Sequence, residues 1–242
     1  MRKCKVLVLI PLWRRPEITE ICFLGLERLK THPSYSIQVL CIVSEPDMIP
    51  LCEKYGHMWV EAENQPLGRK KNAGLKFAEN LDFDFLMELG SDDLVLNELL
   101  DDYLHLIPDH DFFGISDIAF LDIYSLEARR YTNQAAMYGA GRMIKRWVLE
   151  RANFKIWDDK GSRLMDGKSA ERLRGIAKYR QMYPRTRPQV MDIKSDQNIW
   201  EYNAFLGMEY NANEFFERIS SEEVEAIKCY HQKLTSASGT AY

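Results

Sequence analysis

Two adjacent carboxylates, Asp92 and Asp93, directly follow a mostly apolar run and are the residues here best suited to hold a metal ion. The run at 83–89 predicts a strand that is buried on both faces. In an open α/β sheet, ligands bind at the carboxyl ends of the strands, where acidic side chains can hold a hard cation and, through it, phosphate oxygens. The alternative is ordinary turn chemistry, in which Ser91 or Asp92 caps the next helix.

A group of cations forms a second candidate site. Arg69, Lys70 and Lys71 precede Asn72 within residues 64–78, where a glycine-containing loop leads into a predicted helix. Free N–H groups and cations at the start of a helix suit a phosphate group. Cations there also oppose the helix dipole. This arrangement is mildly unfavourable unless an anion is bound, so we favour an anion site over a merely solvated first turn.

A polar segment, residues 157–167, contributes three more carboxylates, Asp158, Asp159 and Asp166. A polar loop of this length beside a sheet is a candidate rim of an active site. Asp166 directly precedes a predicted helix at 168–179. Its carboxylate is therefore either a helix N-cap or a catalytic group, and one side chain can be both.

The elements that must position these residues indicate an α/β fold. Strands and helices alternate up to residue 107, as in βαβ units with a parallel sheet. The predicted strands lie at 6–12, 37–43, 57–62 and 83–89, and the predicted helices at 16–32, 49–55, 69–80 and 97–107. Later predictions are strands at 111–121, 123–131 and 189–195, a helix at 143–151, an aromatic-rich stretch at 198–211, and a helix at 214–234 with a capping-box pattern in its middle.

Composition narrows the functional classes. The 242 residues include 32 basic and 36 acidic side chains, a net charge of −4 that gives no general reason to expect a nucleic-acid partner. The five cysteines are odd in number and lack C-x-x-C spacing, so we expect reduced thiols and a cytoplasmic protein. Neither a cleavable leader nor an apolar run long enough to span a bilayer is apparent.

The order of these features resembles the GT-A nucleotide-sugar glycosyltransferases, in particular their inverting, family-2-like group. The resemblance covers about residues 6–175. It is carried by Ile10-Pro11 with Arg15-Pro16, by Gly68-x-x-x-Asn72-x-Gly74-Leu75, by Ser91-Asp92-Asp93, by Gly139-x-Gly141-Arg142, and by Leu164-Met165-Asp166 before Arg172 and Gly175.

The resemblance implies a GT-A (Rossmann-like) domain over residues 1–195, with a mostly parallel central sheet flanked by helices. Residues 1–107 would bind the nucleotide sugar and residues 108–195 would bind the acceptor and carry the catalysis. A C-terminal helical, aromatic-rich extension, 196–242, would pack on this domain, with a frayed tail at 235–242.

The resemblance also implies roles for single residues. The donor would be bound by Pro11, Trp13, Arg15, Glu45, Lys70, Asn72, Ser91 and Asp92. Glu45 stands where the family usually has aspartate. Asp92 matches the metal-binding last acid of the family's D-x-D motif, while its first acid is replaced by Gly90. Either Asp93 contributes to the Mn²⁺ or Mg²⁺ site, or one carboxylate suffices beside the diphosphate.

For catalysis, the resemblance implies that Asp166 is the base that takes the proton from the acceptor hydroxyl, with Asp158 and Asp159 as competing candidates. Asp192 and Lys194 lie on the last predicted strand. Lys194 could reach the diphosphate, but a charge on the surface of the strand is the favoured interpretation. The implied reaction is a metal-assisted hexosyl transfer with inversion, from a UDP-sugar to a saccharide or glycoconjugate.

Three alternatives stay open on this scaffold. The basic run at 172–187 could face an anionic acceptor, including a modified base in DNA, or an anionic membrane surface, although a solvated surface is the more common role. A sugar nucleotidyltransferase would need a glycine-rich loop after the first strand, and residues 12–16 contain no glycine. The glycine at position 90 is also compatible with a degenerate, non-catalytic binding module. The sequence does not indicate an oligomeric state.

Overall fold

The structure is a computed structural model that describes residues 2–132, 137–182, 184–196, 198, 202–204 and 207–238. Its strands are β1 (Cys4–Leu12), β2 (Tyr35–Val43), β3 (Met58–Glu61), β4 (Phe85–Glu88), β5 (Asp93–Val95), β6 (Phe112–Ile115), β7 (Asp117–Asp122), β8 (Ala128–Thr132), β9 (Met143–Lys145), β10 (Tyr179–Met182), β11 (Val190–Lys194) and β12 (Met208–Tyr210). Its helices are α1 (Pro16–Lys30), α2 (Ile49–Lys54), α3 (Leu67–Ala78), α4 (Asn97–Leu106), α5 (Arg146–Arg151), α6 (Met165–Arg174), α7 (Asn213–Phe216) and α8 (Ser221–Ser238).

A seven-stranded sheet forms the centre of the fold, in the order β10-β6-β9-β4-β1-β2-β3. Strands β3, β2, β1 and β4 are parallel to one another, as are β6 and β10, while β9 runs antiparallel between β4 and β6. The predicted α/β fold with a mostly parallel, helix-flanked central sheet is confirmed.

Strand β1 shows why this sheet is buried on both faces. Its side chains alternate between two core clusters: Val6, Val8 and Ile10 pack on the side of α1, whereas Leu7 and Leu9 pack on the side of α3. Successive side chains of a strand point to opposite faces, so a continuous apolar run can supply both cores. The carboxyl ends of β1, β2 and β4 therefore come together at one edge between two helical layers.

A second sheet of five strands, in the order β12-β8-β7-β11-β5, adjoins this edge. Strand β11 is interior to it, parallel to β7 and antiparallel to β5. The interpretation of Lys194 as a surface charge is therefore wrong, because Lys194 is only 5% exposed. Helix α8 packs near α1, where Arg28 and Glu223 form an ion pair of 2.7 Å.

Several predicted elements differ from those observed because tertiary pairing overrides local pattern. The predicted helix at 143–151 begins as strand β9, and the predicted strand at 111–121 breaks at Ser116 into β6 and β7, which belong to different sheets. The predicted helix at 168–179 is α6 followed by strand β10.

The C-terminal part also departs from the predicted single helix at 214–234, since α7 and α8 are separate. The capping box marks the start of α8: the Glu223 N–H donates to Ser220 Oγ at 3.2 Å, and the Ser220 N–H donates to Glu223 Oε2 at 2.9 Å. Residues 235–238 continue α8. Residues 239–242, and the aromatic positions Trp200 and Phe205, lie outside the described residues. None of the helices in the described ranges is long and apolar enough to cross a membrane.

One buried histidine next to β3 makes the fold sensitive to acid. His57 is 5% exposed and packs edge-on against Phe23, with ring centroids 4.5 Å apart. Burial, helped by the nearby charge of Lys30, lowers the pKa of His57 to about 4. The folded protein therefore favours the neutral ring. Burial of the neutral His57 ring therefore contributes its full stability above about pH 6.5, which is the pKa of histidine in the unfolded chain. This contribution is lost as the pH falls from about 6.5 to about 4.

We therefore expect the variant His57→Leu to be less sensitive to acid. Its free energy of unfolding should fall by about 2 kcal/mol less between pH 7 and pH 5 than that of the wild type. Urea unfolding at the two pH values measures this difference, and His105→Leu, at an exposed position on α4, is the control. An equal fall for His57→Leu and the wild type would contradict the assignment.

Candidate metal and donor site

The candidate site is built where the chain leaves the carboxyl ends of β1 and β4. Arg14 and Arg15 follow β1 in the left-handed backbone region, with φ of 54° and 56°. This sharp turn carries Arg15 toward the segment after β4. There its Nη1 lies 2.9 Å from Asp92 Oδ2 and its Nη2 donates to Ser91 Oγ at 3.1 Å. The structure thus brings together Arg15, Ser91 and Asp92.

Three carboxylates meet at this point. One oxygen from each of Asp92, Asp93 and Asp192 lies within 4.8 Å of the others. The antiparallel register of β5 and β11 pairs Asp93 directly with Asp192, and Asp92 precedes Asp93 in the chain. Like charges directly opposite on neighbouring strands are destabilising. The cluster therefore needs positive charge beside it.

Two buried cations supply part of that charge. Lys194 Nζ lies 2.6 Å from Asp192 Oδ2, and Arg15 pairs with Asp92 as described above. The amide of Asn198 also donates to Asp92 Oδ2 at 2.6 Å. The side chains of Arg15 and Lys194 are only 12% and 6% exposed. These ion pairs are therefore shielded from solvent.

The pKa values show that two cations do not fully balance three carboxylates. Burial, with the charges of Asp192 and Asp92, raises the pKa of Asp93 far above its ordinary value. Burial raises the pKa of Asp192 to about 6, although Lys194 acts in the opposite direction. The pKa of Asp92 lies below its ordinary value. Burial acts to raise this pKa, but the positive charges of Arg15 and Lys194 lower it by more.

The residues present fit a divalent cation. All three side chains offer oxygen, the ligand that Mg²⁺ and Mn²⁺ prefer. Asp192 Oδ1 is buried and has no hydrogen-bond partner among the residues that the structure describes. A buried acceptor without a partner is costly unless something else satisfies it. Asp192 is thus a ligand candidate that the sequence analysis missed; its only signal was a charged residue in an apolar strand.

Gly90, which replaces the first acid of the D-x-D motif, has no room for a side chain. A Cβ atom there would lie 2.5 Å from Asp92 Oδ1 and 2.8 Å from Asp93 Oδ2. Its N–H also donates to Asp93 Oδ2 at 2.6 Å. A third carboxylate comes instead from Asp192, on a strand about a hundred residues further along the chain.

The other predicted donor residues lie around the end of β1. Glu45, after β2, accepts the N–H of Arg14 at 2.9 Å, and the Arg14 guanidinium lies 4.8 Å from the ring centroid of Trp13. Lys70 Nζ donates to the carbonyl of Leu12 and, at 3.1 Å, to Asn64 Oδ1. Burial lowers the pKa of Lys70 to about 8, although Glu45 partly opposes this. Pro11, half-buried within β1, pairs with Ile42 of β2.

Asn72 is not brought to this group. Its amide donates to the Trp157 carbonyl at 2.9 Å and to Asp159 Oδ1 at 2.8 Å, and it accepts the Trp157 N–H at 3.2 Å. The loop that follows Trp157 also covers the start of α3, where the Gly68 N–H donates to the Gly161 carbonyl at 2.8 Å. The sequence predicted that the N–H groups at the start of this helix would be free to bind an anion. The N–H of Gly68 instead forms a hydrogen bond within the protein. Asn72 holds the loop in place.

Asp166, the predicted base, lies in the first turn of α6. Its Oδ2 accepts the N–H of Gly139 at 2.8 Å, and a Cβ atom at position 139 would lie 2.6 Å from its Oδ1. The N-cap position belongs to Leu164. Asp166 therefore does not cap the helix as the alternative predicted, and its carboxylate instead binds the turn that precedes β9.

A buried ionic network connects the end of β4 with α6. Glu88 accepts from Arg142 Nε at 2.7 Å and from Lys71 Nζ at 3.0 Å, and Arg142 Nη1 donates to the Asp166 carbonyl at 2.9 Å. Arg142 Nη2 also donates to Ser169 Oγ at 2.8 Å. Glu88 was not singled out from the sequence, although an acid near the end of a strand predicted to be buried was a signal for such a pair. Arg142 thereby positions the backbone of Asp166.

No protein-family model matches the sequence, and no curated protein matches it. The structure is similar to residues 1–349 of S. aureus TarS, with 13% identity and a TM-score of 0.52 over 78% of this chain and 60% of that one. It is also similar to the mannosyltransferase PcManGT from Pyrobaculum calidifontis in complex with GDP-Man and Mn²⁺, with 12% identity and a TM-score of 0.55 over 81% of this chain and 59% of that one.

The chain has the GT-A fold. At 12–13% identity the likeness shows the fold and leaves donor and acceptor open. The chain spans about 60% of these two similar chains, and 37% of a longer TarS structure, which has a TM-score of 0.56. Within the GT-A fold, ligands are expected at the carboxyl ends of the parallel strands, which is where Arg15, Glu45 and Asp92 lie.

The crowding at Gly90 predicts the effect of adding a side chain. We expect Gly90→Ala to destabilise the fold by about 1–3 kcal/mol, because the methyl group must displace two bonded carboxylates. Gly167→Ala in α6 is the matched control, since nothing lies within 4 Å of its Cβ position, and it should be neutral or stabilising by up to about 1 kcal/mol. Urea unfolding measures both. A Gly90→Ala variant as stable as the control would contradict this packing.

Proposed function

We propose that this chain is a metal-assisted nucleotide-sugar glycosyltransferase. The observation that carries the proposal is the cluster of Asp92, Asp93 and Asp192, with its unpartnered carboxylate oxygen, at the ligand-binding edge of a GT-A fold. Asp92, Asp93 and Asp192 would hold Mn²⁺ or Mg²⁺. When bound, such a cation stabilises the negative charge that develops on the leaving diphosphate.

The residues around β1 are suited to bind a nucleoside diphosphate. Arg15 is a buried cation next to Asp92, and guanidinium groups bind phosphate oxygens in a fork geometry. Trp13, Glu45 and the buried Lys70 surround the adjoining loop, where they could contact the nucleoside. A UDP-sugar with a hexosyl group is the proposed donor. TarS has been solved with UDP and PcManGT with GDP-Man and Mn²⁺, which supports this ligand class without deciding the base.

Asp166 is the proposed general base. The acceptor hydroxyl attacks the anomeric carbon, its proton passes to the Asp166 carboxylate, and the carbon–oxygen bond to the diphosphate breaks with its electron pair on the diphosphate. Attack opposite the leaving group inverts the anomeric carbon. The Gly139 N–H and Arg142 hold Asp166 by its side chain and its backbone, so that its position is fixed before the acceptor binds.

The acceptor class proposed from the resemblance is a saccharide or glycoconjugate. Residues 1–107 remain the proposed donor half and residues 108–195 the proposed acceptor half. Residues 196–242 remain the proposed extension, and Asn198 within it adds a direct hydrogen bond to the Asp92 cluster. A cytoplasmic setting is part of the proposal and is supported by the five free thiols.

Thermal shift with a panel of nucleotides tests the function and the donor together, because a ligand that binds the folded state raises the melting temperature. The panel contains UDP, GDP, CDP, ADP and dTDP. We expect UDP or a UDP-sugar to raise the melting temperature, and this shift should require Mn²⁺ or Mg²⁺. Asp92→Asn should remove the metal-dependent part of the shift. A shift with nucleoside triphosphates or free sugar phosphates alone would favour a nucleotidyltransferase, and no shift at all would contradict a donor site.

The role of Asp166 is tested separately from donor binding. Asp166→Asn should keep the nucleotide-dependent shift and lower transfer by at least about 100-fold, the usual loss when a general base is removed. Glu171→Gln, at an exposed position of the same helix, is the matched control and should keep both properties, while Asp158→Asn tests the competing base. Loss of the shift in Asp166→Asn would make its role structural, and loss of transfer in Asp158→Asn alone would move the base to that residue.

A further inference from the structure

A basic cavity lies beside the helix that carries the proposed base. It has a volume of about 400 Å³, which is the size of pocket that small ligands occupy. Its floor is apolar and contains Ile156, Trp157 and Met165. The residues that line it belong to the polar segment before α6 and to α6 itself.

The lining carries a surplus of positive charge in a chain whose net charge is −4. Two of the lining side chains, Asp158 and Asp159, are acidic, and the five cationic ones are Lys155, Lys160, Arg163, Lys168 and Arg172. The acids are already engaged. Asp159 pairs with Lys155 and with the Asn72 amide, and Asp158 accepts the N–H of Lys160.

Three of these cations lack a counter-charge. Lys160, Lys168 and Arg172 form no ion pair with any residue in the ranges that the structure describes. Lys168 and Arg172 are four residues apart on α6 and therefore lie on the same face of the helix. Like charges at this spacing repel each other, which an anion between them would relieve.

Two further observations indicate a ligand. Trp157 is 1% exposed, and its Nε1 has no hydrogen-bond partner within the described residues. A buried indole N–H without an acceptor is costly, and it is satisfied if a ligand oxygen reaches it. In addition, the first turn of α6 lines the cavity, so that the positive end of the helix dipole adds to the basic side chains.

We infer that this cavity binds a phosphate group carried by the acceptor. The inference rests on the proposed function and names its acceptor class: a phosphorylated saccharide whose phosphate lies among Lys160, Lys168 and Arg172. The cavity is adjacent to the base, since Met165 and Ser169 line it and Asp166 lies between them in the chain. Arg142, which holds the Asp166 carbonyl, also donates to Ser169.

The size of the cavity favours a small phosphorylated group over a nucleic-acid duplex. A duplex is bound by charges spread over a long surface that follows its backbone. Here the unpaired cations surround one pocket with an apolar floor. These cations suit the charge and the oxygen atoms of a phosphate group.

Calorimetric titration of the whole chain with glucose 6-phosphate, glucose, glucuronate and inorganic phosphate tests the inference without a nucleotide. We expect glucose 6-phosphate to bind and glucose not to bind at the same concentrations. The double variant Lys168→Gln/Arg172→Gln should weaken glucose 6-phosphate binding by at least about tenfold, as expected for the loss of two nearby charges. Lys228→Gln/Arg151→Gln, which removes two cations outside the cavity, is the matched control and should bind as the wild type does.

Four results would overturn the inference. The first is equal affinity of the two double variants for glucose 6-phosphate, and the second is binding of inorganic phosphate as tight as that of glucose 6-phosphate. The others are tighter binding of glucuronate than of glucose 6-phosphate, or tighter binding of a short DNA duplex that the Lys168→Gln/Arg172→Gln variant loses. The donor site is checked on the same proteins by the metal-dependent nucleotide shift, which both double variants should retain. Loss of sugar-phosphate binding with an intact nucleotide shift therefore separates a failure of this inference from a failure of the proposed function.

Discussion

The structure of the site depends on holding three like charges together. Asp93 and Asp192 face each other across an antiparallel strand pair, and Asp92 adjoins them. Such a cluster is stable only where positive charge lies nearby, because buried carboxylates otherwise repel each other and lose solvation. Arg15 reaches it from the loop after β1 and Lys194 from β11. The ion pairs of Arg15 with Asp92 and of Lys194 with Asp192 thus hold together, at one edge of the sheet, segments that are far apart in the sequence.

A second buried charge couples this edge to the part of the chain that holds the proposed base. Glu88, the last residue of β4, binds Lys71 of α3 and Arg142, and Arg142 binds the backbone of Asp166. Removing one member of a buried ion pair usually costs several kcal/mol, so these groups fix the relative position of β4 and α6. Met165 and Ser169, which flank Asp166 in the same part of α6, line the basic cavity. Metal cluster, base and cavity are therefore connected through a few buried polar contacts.

Strands β1, β2 and β4 of the central sheet were predictable from the sequence because they are mostly apolar runs, and the cluster around Asp92 was predictable because it follows one of them. The third acid was not, since only the pairing of β11 with β5 places Asp192 beside Asp93. Local pattern also failed at 143–145, where strand pairing with β4 and β6 overrides helix propensity. The helix that carries Asn72 was predictable, but it begins at Leu67, so that Asn72 lies in its second turn. No sequence pattern reveals that the loop after Trp157 covers the start of this helix.

The most direct test of the central claim is a crystal structure of the chain with Mn²⁺ and UDP, in which anomalous scattering locates the metal. The proposed metal site predicts one strong peak within about 2.5 Å of carboxylate oxygens from Asp92 and Asp192, with the diphosphate between this ion and Arg15. A peak elsewhere would contradict it. So would a nucleotide bound without metal while Arg15 and Lys194 still pair with the two carboxylates.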